Sequence, residues 1–135
     1  MTPLPTIAVA ITLAMRQCVK GYGSFYAKGE HYSSGWCYAA SEVAYNLLGG
    51  KKAGWKPMRG KGNAARHTDP ECRWNQHWWL QGPNGEVLDL TRRQYATKYP
   101  YQIGRGCGFM TPRPSFNGFK LINQIRSNGV EVKVK

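Results

Sequence analysis

Acidic residues are scarce: seven Asp and Glu stand against nineteen Lys and Arg in 135 residues, a formal net charge of +12. That surplus excludes an acidic, solvating chain and favours partners of negative charge, whether nucleic acid, an acidic protein or an anionic surface. The basic residues run from Arg16 to Lys135, with local density at 51–73 and 92–105, and form no single block that would mark a specific groove reader. Long apolar runs are missing as well. The most apolar stretch, TIAVAITLAM at 6–15, has ten residues, short of the about 20 that span a bilayer. No basic segment precedes it and no small-residue cleavage site follows, so it reads as a buried N-terminal helix rather than a signal peptide. The expected location is the cytoplasm of a bacterial-type cell, with no membrane partner.

Cysteine and histidine are few. The four cysteines, Cys18, Cys37, Cys72 and Cys107, include no CxxC pair of the zinc-ribbon type, and reduced thiols are expected. His67, Cys72 and His77 recur every five residues, with Cys107 and Cys18 as further ligand types, yet this spacing matches no tight zinc signature. Nor is GRGCG at 104–108 followed by the Lys-Ser or Lys-Thr of a phosphate loop. Neither a metal nor a cofactor is expected, and there is no internal repeat.

What is present is aromatic and turn-rich. A hydrophobic fraction of 41%, five Trp and eight Tyr exclude a disordered chain, while 16 Gly and 8 Pro imply many turns. The length suits one compact domain over 1–135. Residues 6–19 read as a helix closed by Gly21, and GYGSFYAKGEHYSSG as a loop. A second helix, CYAASEVAYNLLGG, places Cys37, Ala40, Ala44, Leu47 and Leu48 on one face, with Ser33 or Ser34 to cap it and Gly49 to end it. AGWKPM at 53–58 is expected as a short edge strand, because Pro57 argues against a central position. A basic loop at 59–75 follows. SFNGFKLINQIRSNG has Phe116, Phe119, Leu121, Ile122 and Ile125 in rough helical spacing, and VEVKVK reads as an edge strand or a frayed end.

The hairpin HWWLQGPNGEVLDLT poses a register problem. A two-residue Asn84-Gly85 turn would set His77 and Asp89 on opposite faces. Pro83 decides against it: proline cannot take positive φ but suits the second position of a type I turn, with Gly85 left-handed as a bulge. In that three-residue register Leu80 faces Leu88, Trp79 faces Asp89 and His77 faces Thr91, which sorts Trp78, Leu80, Leu88 and Leu90 onto one apolar face. His77 and Asp89 then share the other face as diagonal neighbours, roughly 7 to 8 Å apart at the backbone, a gap an imidazole and a carboxylate can bridge.

Cys37 falls in the first turn of its helix, where free backbone N–H groups and the helix dipole favour a thiolate. A thiol, an imidazole to take its proton and a carboxylate to orient the imidazole form a nucleophile, base and orienter set. Cys37, His77 and Asp89 are therefore the candidate catalytic residues. The Cys37 N–H is half of a candidate oxyanion hole, with His31, Tyr32, Asn75 or Gln76 as the second donor and Trp36 and Trp79 as flanking binding residues. Each member also has an ordinary structural reading: Cys37 as a small buried hydrophobe, His77 as a sheet histidine and Asp89 as a cap for a nearby N–H.

The order of GWCYAASEVAYNLLGG, HWWLQGPNGEVLDLT, a following QY and GRGCGFMTPRPS resembles the small YunG-like family of bacteria and their phages, from about residue 33 to about residue 125. The resemblance implies an α+β fold akin to papain-like and transglutaminase-like cysteine hydrolases, with N-terminal helices, the central one bearing the cysteine, packed on a small antiparallel sheet. It places Cys37, His77 and Asp89 on the matching positions. The expected activity is that of a thiol-dependent hydrolase or acyl transferase (protease, isopeptidase, amidase or deamidase), phage-encoded and acting in the host cytoplasm on a protein or peptide, possibly acidic. Where phage-type members often carry basic residues after PS, this chain has Phe116 and Asn117. The competing expectation, drawn from the charge, is a non-catalytic basic module that binds or inhibits nucleic acid or a nucleic-acid-binding host or defence protein.

Overall fold

The computed structural model describes residues 4–20, 36–61, 76–92, 101–109 and 114–132. They form an α+β fold in which three helices pack against a four-stranded antiparallel sheet. Helix α1 (Leu4–Lys20) turns Ile7, Ile11, Ala14 and Met15 inward, a 4-3-1 spacing that keeps one face in the core. Helix α2 (Cys37–Leu47) buries residues nearly all round its first two turns: Cys37, Ala39, Ala40, Ser41, Glu42, Val43 and Ala44. The many small side chains let α1, the C-terminal helix and the sheet approach it together. Of the face expected from spacing, only Leu47 is left half-buried. Gly49, at φ 96°, ends the helix as anticipated, while Gly21, Ser33 and Ser34 lie outside the described residues.

Helix α3 (Phe116–Ser127) buries Gly118, Leu121, Ile122 and Ile125. The expected face is corrected here, since Phe116 and Phe119 are 75% and 47% exposed. They lie off the 118/121/122/125 stripe, and the Lys120 ammonium sits 4.3 Å from the Phe116 ring centroid. Ser115 caps the helix by accepting from Gly118 N at 3.1 Å. At its other end Gly129 N donates to Arg126 O and Val130 N to Ile125 O, the paired bonds of a Schellman motif around a glycine at φ 87°. The following residues through Val132 form no strand. Val132 tucks into the core while its carbonyl accepts from Arg126.

The strands β1 (Lys56–Lys61), β2 (Gln76–Gln81), β3 (Val87–Leu88) and β4 (Arg105–Gly106) take the spatial order β3-β2-β1-β4. Strand β1 is thus interior, a correction to the edge position expected from Pro57, and Arg59–Lys61 belong to it rather than to the basic loop. Pro57 is tolerated because its carbonyl accepts from Cys107 N at 3.0 Å at the end of the two-residue β4, where the missing N–H ends a ladder that stops there anyway. The hairpin adopts the three-residue loop, with Leu80 opposite Leu88 and Gln81 opposite Val87. Gly85 N donates to Gly82 O at 3.0 Å, Gly82 N donates to Glu86 O at 2.8 Å, and Gly85 sits at φ 80°. Leu80, Leu88 and Leu90 pack on the helices, and Trp78 stacks with Phe109. Full burial of Leu80 is worth about 1.5–3 kcal/mol.

Candidate active site

The ladder stops three residues earlier than the sequence suggests. Asp89 turns its Oδ1 onto Thr91 N at 3.1 Å, a side-chain turn that competes with strand pairing and carries the chain away from β2. Trp79–Asp89 and His77–Thr91 are therefore not ladder pairs, yet the side-chain relation holds. His77 Nε2 lies 2.6 Å from Asp89 Oδ2, with the two side chains 0% and 2% exposed.

Asp89 is held on both oxygens. Oδ2 faces His77 and accepts from the Tyr101 hydroxyl at 2.7 Å, while Oδ1 accepts from Thr91 N and, at 3.2 Å, from Thr91 Oγ1. With Nε2 committed to the carboxylate, Nδ1 is the ring nitrogen left for Cys37, which lies close enough to favour the protonated imidazole. Cys37 opens α2 and is 8% exposed. Its helix start has Trp36 at the cap position, with no side-chain acceptor for the first-turn N–H groups.

Burial pulls the imidazole toward its neutral form. The Asp89 hydrogen bond and charge, together with the neighbouring Cys37, outweigh it, and His77 is pushed up from 6.5 to about 9. At neutral pH the ring is thus a protonated, buried cation beside Cys37 and the Asp89 carboxylate.

Trp79 forms the wall behind this ring. It is 1% exposed, its centroid 5.6 Å from that of His77, with the Tyr101 ring edge-on at 5.2 Å. Gly104 makes that packing feasible, since a Cβ there would come within 2.2 Å of Trp79 Cζ2. Trp36 is half-buried beside the core. Gln76 begins β2 opposite Lys61, and His31, Tyr32 and Asn75 lie outside the described residues.

Two partners of the carboxylate escaped sequence reasoning. Thr91 had a usable signal, because an Asp two residues before a backbone N–H is the spacing of an Asx turn. Tyr101 had none: it comes twelve residues after Asp89 in an irregular segment. A separate buried carboxylate, Glu42 on α2, accepts from Ser115 N and Oγ and so ties α2 to the start of α3. Burial pushes Glu42 upward more than these bonds lower it.

Among the described residues, no group of three His, Cys, Asp or Glu could hold a metal, and Cys18, Cys37 and Cys107 are free thiols. His67 and Cys72 lie outside the described residues. No described helix is long and apolar enough to cross a membrane. A scan against protein-family models finds no match, and neither the curated proteins nor the solved structures contain a significant one. The chemistry therefore has to be read from the site itself.

Proposed function

We propose that this chain is a thiol-dependent hydrolase or acyl transferase of papain-like type, a single domain over 1–135 belonging with the YunG-like proteins, that acts on a protein or peptide amide. The observation that carries the reading is the placement of Cys37 and Asp89 around one buried imidazole, with the cysteine at a helix start. In this scheme His77 holds the proton given up by Cys37, and the sulfur bonds to the acyl carbon as a thiolate paired with the imidazolium. The C–N bond then breaks, and the imidazolium gives its proton to the departing amine, leaving a thioester. His77 next takes a proton from water, or from an acceptor amine, which attacks the thioester and releases the thiol. Asp89 orients the ring and stabilises its cation. The Cys37 N–H supplies one oxyanion donor, with Gln76, Asn75, His31 or Tyr32 as the second.

The test is acyl-enzyme trapping with p-nitrophenyl acetate. The scheme expects a burst of nitrophenol and an acetyl group on the Cys37 peptide by mass spectrometry, both lost in Cys37→Ala. Equal release from wild type and Cys37→Ala, with no acetylated Cys37, would reject it.

A further inference from the structure

The arginines on the outer half of the sheet are arranged in a way that the proposed triad does not use. Arg59 of β1 and Arg105 of β4 are directly opposed cross-strand partners. Like charges so placed, with Cβ atoms about 4.5–5.5 Å apart, destabilise a sheet unless something negative lies between them. Both are exposed, and neither meets a carboxylate among the described residues. Three of the four acids among the described residues have other tasks, since Glu42 holds Ser115, Asp89 holds His77, and Glu86 accepts from Asn84 N in the hairpin turn.

Arg59 is also steadied. Its guanidinium carbon lies 5.9 Å from the centre of the Trp78 ring, which limits the entropy lost when the fork closes on an anion. Two arginines opposed across a strand pair can close on one oxyanion, bound through charge-assisted and bidentate hydrogen bonds. On the opposite face Lys56 extends across Gly106, where no side chain intervenes, so both faces of β4 present a cation.

The location points to an extended peptide. Strand β4 is the last in the sheet order, and among the described residues no strand pairs with its outer side. Such an edge accepts an added strand, whose alternate side chains would meet Arg59 and Arg105 on one face and Lys56 on the other. Arg59 is one residue from Gly60, the partner of His77, and Tyr38, next to Cys37, packs edge-on against Trp78 at 4.7 Å. We infer that the Arg59–Arg105 pair is the seat for an anionic side chain, a carboxylate or a phosphorylated residue, of an acidic peptide segment. Calling that peptide the substrate rests on the proposed thiol chemistry. Its binding does not.

Binding is therefore measured on the full chain carrying Cys37→Ala, with three peptides identical except for a central Glu, phosphoserine or Gln. The Glu or phosphoserine peptide is expected to bind about tenfold tighter than the Gln peptide, a preference erased by Arg59→Gln with Arg105→Gln. Lys51→Gln with Lys52→Gln removes the same number of exposed charges elsewhere and should preserve it. The tighter of the two acidic peptides identifies the anion. Equal binding of all three peptides, or an equal loss in both double variants, would overturn the inference. So would a single-stranded oligonucleotide that binds through these arginines more tightly than either acidic peptide. Alkylation of Cys37 in the wild-type chain reads the thiol chemistry separately, so the two ideas fail independently.

Discussion

Replacing Asp89 by Asn keeps the shape of the side chain and removes the charge that holds His77 protonated. The gap between 6.5 and about 9, at about 1.36 kcal/mol per pH unit, corresponds to about 3 kcal/mol of folded-state preference for the imidazolium. His77 binds its proton more tightly folded than unfolded. Its stabilising contribution is therefore fully present below 6.5 and is lost as the pH rises through about 9. In Asp89→Asn the hydrogen bond to a carboxylate and its charge are gone, so burial dominates and the ring folds neutral. Urea unfolding of both proteins at about pH 6 and about pH 10 isolates the effect, because losses independent of pH cancel in the comparison. The stability advantage of the wild type should shrink by up to about 3 kcal/mol between the two conditions. An advantage unchanged across that window would refute the claim that Asp89 holds a buried imidazolium.

Removing the Tyr101 hydroxyl with Tyr101→Phe takes one donor from Asp89 Oδ2, leaving its charge freer for the ring. Histidine NMR should show His77 titrating above its wild-type position, with a stability loss of about 1–3 kcal/mol by denaturant unfolding. Ser115→Ala deletes both the α3 cap and a partner of the buried Glu42 carboxylate, and should cost about 1–3 kcal/mol in the same assay. Gly104→Ala forces a Cβ against Trp79; about 1–3 kcal/mol of destabilisation and a shifted tryptophan emission are expected.

Turn chemistry made the pairing of His77 with Asp89 readable before any coordinates. Pro83 and Gly85 each have one comfortable backbone conformation in the loop, and together they set the register that puts imidazole and carboxylate on one face. The three helices were legible from apolar spacing, with errors where spacing alone cannot separate a buried stripe from its flanks, as at Phe116 and Phe119. Position in the sheet was harder. Pro57 signals a lost donor but not which neighbour goes without it, and here the neighbour is a strand of two residues. Tyr101 was illegible for a different reason: its contact with Asp89 is made by tertiary packing on Trp79, and no local pattern encodes it.

The central claim, that His77 activates Cys37, is tested most directly by the alkylation rate of Cys37 with iodoacetamide, followed by peptide mapping so that Cys18 and Cys107 serve as internal references. With the His77 imidazolium holding the proton of Cys37 and pairing with its thiolate, His77→Gln should slow modification of Cys37 by about a hundredfold or more while leaving Cys107 unchanged. Equal Cys37 rates in the wild type and His77→Gln would contradict the account and reduce Cys37 to a buried structural thiol.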